Sequence, residues 1–142
     1  MPMHRGRRNF AVGFGPAVAL VGALGVLAAG TSSVSAQSLA GSWAGGGTIV
    51  YPSGETERAR CRATFRSSGG GGVSMHAVCA TASVRVSQNA SLSQLTHTTY
   101  SGEFTNIEYG ISGSIRIRMH GSNKISASLN GGGASAQFSL NR

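Results

Sequence analysis

Arginine recurs at alternate positions in one stretch, as Arg58, Arg60, Arg62 and Arg66, and again as Arg116 and Arg118. Successive side chains of a β-strand point to opposite faces, so each set presents its guanidinium groups on one side of a strand. Guanidinium binds phosphate and carboxylate bidentately. These six residues are therefore the candidates for docking an anionic partner: a lipid phosphate or headgroup, a peptidoglycan carboxylate, or an acidic protein. The plainer use of such outward charge is to solubilise a sheet and to block edge pairing. Nucleic acid is a poor fit, because few aromatics interleave with the arginines.

Other reactive side chains point to no catalytic constellation. Glu55 and Glu57 flank one turn signal, and Glu103 and Glu108 flank another; all four read as solvated charges at strand ends. His76, His97 and His120 fall on different segments, without the spacing that a metal site needs. Serine is abundant, but no Gly-x-Ser-x-Gly elbow is present. The sequence predicts no enzyme, no metal and no cofactor.

The only two cysteines, Cys61 and Cys79, lie on the arms of a hairpin that runs from Arg58 to Cys79. Ala59, Cys61, Ala63 and Phe65 alternate with the arginines, so the first arm has an apolar face and a basic face. Folding about Gly70 sets Cys61 opposite Cys79, Ala63 opposite Ala77 and Phe65 opposite Met75. Directly opposed Cβ atoms lie about 4.5–5.5 Å apart, within reach of a disulfide. A Cys61–Cys79 bond is predicted, with a pair of buried free thiols as the alternative.

Strand signals fill the rest. Ser42 to Tyr51 reads as a first strand, with a bulge or a close backbone approach expected at Gly45-Gly46-Gly47. Pro52-Ser53-Gly54-Glu55 is a turn by its chemistry, and Thr81-Ala82-Ser83 is a bend. Strands follow from about Arg85 to Ser93 and from His97 to Thr105, with a weak turn near Asn106. Ile107, Tyr109, Ile111, Gly113, Ile115, Ile117 and Met119 alternate with polar residues, which predicts a strand from Ile107 onward. After Gly121-Ser122-Asn123, two more strands run over Lys124–Asn130 and Ala134–Leu140. No window of this region has helical periodicity. The fold class is all-β: about eight antiparallel strands in a meander, closed or nearly closed into a small barrel to hide the edges. A barrel of this size is filled by side chains or holds one small ligand. The aromatics Trp43, Tyr51, Tyr100 and Tyr109 are the candidates to line such a cavity.

The first 36 residues read as an address. Arg5, Arg7 and Arg8 precede an apolar run from Phe10 to Gly30, and small residues end at Ala36. This is the tripartite pattern of a secretory signal, with cleavage expected after Ala36. Sec export is the main route; Arg7-Arg8-Asn9-Phe10 also resembles a twin-arginine signal. An uncleaved membrane anchor is the alternative, since 21 residues can span a bilayer. Residues 37–142 then form a single domain with nine Lys and Arg against four Glu, a net +5 before histidine. The expected location is periplasmic or secreted, with no membrane span left after cleavage.

Gly41-Ser42-Trp43 on a first strand resembles the Gly-x-Trp opening of lipocalins, avidins and bacterial metalloprotease inhibitors. That resemblance implies an eight-stranded meander barrel. Leu39-Ala40-Gly41-Ser42-Trp43, Glu57 to Ala63, Cys79 to Ser83, Tyr100-Ser101-Gly102 and Gly110 to Ile115 also resemble a group of small exported alphaproteobacterial proteins, a likeness that supplies no activity. The expectation is a non-enzymatic binding or interaction protein of the cell envelope, an inhibitor-like role included. The alternatives are a calycin-type carrier of a small apolar ligand and a purely structural envelope protein. A large pocket would favour the carrier, and a filled interior would exclude it. The positive charge argues against a lysozyme inhibitor, because lysozymes are usually basic themselves.

Overall fold

The computed structural model describes residues 38–142, together with the isolated glycines Gly13, Gly15, Gly22 and Gly25. The chain divides into two units, Met1–Ser33 and Val34–Arg142. The expected signal peptide and its cleavage site lie outside the described residues, those four glycines apart. Among the described residues, no helix is long and apolar enough to cross a membrane.

Eight strands follow one another in the second unit: β1 (Gly41–Val50), β2 (Thr56–Gly69), β3 (Gly72–Ala80), β4 (Arg85–Gln94), β5 (Thr99–Asn106), β6 (Ser112–Met119), β7 (Lys124–Gly131) and β8 (Ala134–Asn141). Each pairs antiparallel with the next, and β8 returns to β1, so the sheet is a closed barrel with no free edge. Closure satisfies every strand's backbone ladder and removes the template for edge pairing.

Alternation sorts the side chains as the pleat requires. On β2, Ala59, Cys61, Ala63 and Phe65 are buried, and Arg58, Arg60, Arg62 and Arg66 are exposed. On β6, Ile115, Ile117 and Met119 face inward and Arg116 and Arg118 face outward. The hairpin register is the one the sequence implies: Cys61 opposes Cys79, Ala63 opposes Ala77 and Phe65 opposes Met75. Cys61 and Cys79 are joined, with Cα atoms 4.1 Å apart. A structural disulfide is the mark of an oxidising, extracytoplasmic compartment.

β1 runs unbroken through its glycines, and its pairing to β2 and β8 is regular. The reason for glycine is close approach. A Cβ on Gly47 would sit 1.9 Å from the Gln137 carbonyl oxygen, and one on Gly45 would sit 2.1 Å from that of Ser139. β1 and β8 can pack this tightly only where β1 lacks side chains. The one register shift of the hairpin lies at its tip, between Ser67 and Gly69.

Strand boundaries shift by up to a few residues from the expectation, and two of the shifts have a local cause. β6 begins at Ser112 rather than Ile107. The Asn106 side-chain oxygen accepts the Tyr109 N–H at 3.0 Å, and the Gly110 N–H reaches the Asn106 carbonyl. Gly110 takes a φ of 64°, open to glycine at little cost. Local turn chemistry therefore overrides the alternation, and Ile107 and Tyr109 are left exposed. β5 begins at Thr99 rather than His97, because the Thr96 hydroxyl accepts the N–H groups of Thr98 and Thr99 and makes a turn there.

Candidate ligand cavity

The two ends of the barrel differ. At one end the lead-in to β1 folds across the opening. Leu39 is buried there, and its carbonyl accepts the Trp43 indole N–H at 2.9 Å. The Arg142 guanidinium lies 4.3 Å from the centre of the Trp43 ring and donates to the carbonyls of Ala40 and Ser122. Tyr100 is buried near the same end and, with Leu39, borders a shallow outer pocket. Below this plug the interior is filled. The void among Phe65, Met75, Ile115, Leu129, Phe138 and the disulfide measures about 20 Å³, room for about one water.

The other end is open. Here β1, β4, β5, β7 and β8 enclose a cavity of about 280 Å³. Its walls are Ile49, Val84, Val86, Phe104, Leu129 and Phe138. Gly131, Ala134 and Ala136 line it too, and their small size leaves space on the inner side of the paired β7 and β8. Gln88 and Asn106, directly opposed on β4 and β5, supply amide groups to a mostly apolar lining. Tyr51, Pro52, Tyr109 and Ile111 form the rim.

Hydrogen bonds brace this rim. The Tyr51 hydroxyl donates to one Glu57 carboxylate oxygen at 2.7 Å, and the Ser83 hydroxyl donates to the other at 2.7 Å. Glu57 thus ties the β1–β2 turn to the β3–β4 bend. The bond from Tyr51, then that from Ser83, holds the Glu57 carboxyl below its ordinary range. The same bond, with some burial, pushes the Tyr51 phenol up. Glu108 accepts the Ser87 backbone N–H at 2.8 Å, which joins the β5–β6 turn to β4 and lowers its carboxyl too. Val50, Ile107 and Tyr109 are exposed apolar residues around the same opening.

Of the four aromatics picked out as cavity residues, Tyr51 and Tyr109 stand at this mouth. Trp43 and Tyr100 do not; they are buried toward the plugged end. The six arginines are all exposed, yet they do not form one face. β2 and β6 are four strands apart in a ring of eight, so Arg58, Arg60, Arg62 and Arg66 lie across the barrel from Arg116 and Arg118. Cross-strand register instead brings Arg85 on β4 into line with Arg60, with Ala80 between them. Arg60, Arg62 and Arg85 edge a shallow groove with Ala44, Gly45 and Val78. A wider hollow of about 700 Å³ runs over the outer wall of β2 to β5. It is polar and its groups partly satisfy one another, as in the His76–Asn89 hydrogen bond at 2.8 Å, so it has less to offer an apolar ligand than the mouth. His120 bonds to Ser126 on its own side of the barrel. No three metal-ligating side chains converge among the described residues.

Sequence reasoning missed Arg142, Arg85 and Gln88. Gln88 carried a readable signal: Val84, Val86, Ala90 and Leu92 share its parity, so position 88 had to face inward.

Neither a family model nor a curated protein matches this chain. Solved structures match its fold. The chain is similar to a redesigned β-barrel, mFAP1, bound to DFHBI, at 15% identity and a TM-score of 0.64, over 75% of this chain and 97% of that one. A second redesigned barrel, mFAP0, also bound to DFHBI, matches at 15% identity and 0.62, over 73% and 98%. A de novo designed fluorescence-activating β-barrel matches at 12% identity and 0.59, over 75% and 95%. At these identities the likeness establishes the fold alone: a closed eight-stranded antiparallel β-barrel.

Proposed function

We propose that this protein is a small-molecule binding barrel of the cell envelope, and that its site is the open mouth between Tyr51 and Tyr109. One observation carries the reading: an apolar cavity of about 280 Å³ at one end of a barrel whose other end is plugged. Ligand sites are concave, mostly apolar and furnished with a few placed polar groups. The fold suits the role, since similar barrels were solved bound to DFHBI. The cavity favours the carrier over the interaction module that the sequence put first.

The test is native mass spectrometry of the protein isolated from its own envelope, followed by titration with small apolar probes. One molecule should bind per chain. Ala136→Phe, which fills the space beside Phe138, should abolish binding while leaving the protein folded. An empty protein that binds no apolar probe would overturn the proposal. Export is part of the same reading, and N-terminal sequencing of that preparation should begin at Gln37.

A second, independent contact is supported by the groove of Arg60, Arg62 and Arg85. Three guanidiniums around small residues suit a phosphate or carboxylate on an envelope surface. Arg85→Glu should abolish salt-sensitive binding to anionic vesicles, and unchanged binding would remove the groove from consideration.

A further inference from the structure

Gln88 is an anomaly that packing does not explain. Its neighbours on the inward face of β4, Val86 and Ala90, are buried and apolar. Gln88 itself is half-buried, and an amide shielded from water without a partner is unfavourable relative to an apolar residue. Among the described residues the Gln88 side chain has no hydrogen-bond partner, and no unpartnered polar side-chain atom is sealed from solvent. Its amide is therefore reachable, and Gln88 borders both the mouth cavity and the small void beneath it.

Asn106 stands directly opposite on β5 and is only 7% exposed. Its side-chain orientation is fixed by a donor: the Tyr109 N–H needs an oxygen, so Oδ1 points to the turn and the NH2 group remains free to donate. Opposed residues on neighbouring strands lie close enough for both amides to touch one ligand group. Among the described residues, no carboxylate, ammonium or guanidinium lines the cavity. A charged ligand would lose its hydration there without compensation, whereas Phe104, Phe138 and Leu129 suit a flat apolar body.

We infer that Gln88 and Asn106 are specificity-determining residues that select uncharged planar ligands carrying a carbonyl or lactam edge, from among molecules of similar size. Asn106 donates to the carbonyl oxygen, and Gln88 donates to it or accepts from an adjoining N–H. This rests on the mouth being the binding site.

Calorimetry with three bicyclic probes tests it: 2-quinolinone, which has a lactam edge; 2-methylnaphthalene, which has the same outline without one; and 2-naphthoate, which is charged. The expected result is that 2-quinolinone binds about tenfold more tightly than 2-methylnaphthalene, as two neutral hydrogen bonds would give, and that 2-naphthoate does not bind. In Gln88→Leu and in the more closely shaped Gln88→Met, 2-methylnaphthalene should bind at least as well as before and the lactam advantage should shrink severalfold. An equal affinity for the two neutral probes, or an advantage that survives both substitutions, would overturn the inference and leave the cavity reading standing. Failure of all three probes to bind would overturn both.

Discussion

A fully buried tryptophan needs an acceptor for its indole N–H, and Trp43 finds one in the Leu39 carbonyl. Arg142 then covers the ring and spans two carbonyls from separate segments, Ala40 and Ser122. Arg142→Ala gives up a cation–π contact of about 0.5–1 kcal/mol together with two charge-assisted hydrogen bonds. A loss of about 2 kcal/mol is expected on denaturant unfolding. Arg142→Lys should recover less than half of it, since an ammonium cannot reproduce the planar fork; full recovery would show that charge alone holds the plug. Gln88 should behave in the opposite sense. Gln88→Leu replaces a half-buried amide that has no protein partner among the described residues and is expected to raise the melting temperature of the ligand-free protein slightly. A fall would mean that the amide is bonded within the barrel after all. Both residues show where the sequence stops being legible. The inward parity of Gln88 could be read, but what it faces could not. Nothing local linked Arg142 to Trp43, which lies at the other end of the domain sequence.

At the scale of the strand, the sequence spoke most clearly where alternation was long and nothing local competed. The β2–β3 hairpin has the register its apolar face implies, down to the disulfide. Alternation misled at Ile107 and Tyr109, where the Asn106 side chain and Gly110 make a turn instead of a strand. The glycines of β1 left a bulge or a close approach open, and the structure resolves them as close approach. This predicts an asymmetry between neighbours. Gly47→Ala drives a methyl into the Gln137 carbonyl and the Phe138 ring and should cost about 3 kcal/mol or more. Gly46→Ala meets only the Ala59 carbonyl at 3.1 Å and should cost far less. Equal losses in thermal unfolding would contradict the tight β1–β8 packing. Cys61→Ser opens an 18-residue link and should cost about 3 kcal/mol in the chain-entropy account. It should leave ligand affinity unchanged, because the disulfide borders the small void and not the mouth.

Closure is the property of the whole molecule on which the proposed site depends, and it was only half legible. Eight short strands with short connections imply a barrel. That β2 and β6 then face away from each other follows only from the ring, so whether the two arginine sets share a face could not be read before the order of strands was known. The cavity depends on Gly131, Ala134 and Ala136 meeting at one mouth, which no single strand reveals. The mouth is also where acid should act first. Glu57 and Glu108 carry the bonds that tie the loops together, and their carboxyls are both held below the ordinary range. A carboxylate with a depressed folded pKa stabilises above its unfolded value, about 4.3, and this contribution is lost as pH falls through the folded value. The Tyr51 phenol is shifted upward, so its contribution is complete below about 10 and is lost only at more alkaline pH. The rim should therefore be braced from about pH 5 to about 10 and should loosen below that window while the plugged end holds. Amide exchange, corrected for intrinsic rates, should show Ser87 losing protection as pH falls below the ordinary carboxylate value of about 4.3 while Ile117 and Ile125 keep theirs. Glu108→Gln should weaken the Ser87 bond at neutral pH and flatten that acid dependence. If Ser87 protection is as insensitive to acid as that of Ile117, the carboxylates do not brace the mouth, and access to the cavity is set by the side chains at the rim alone.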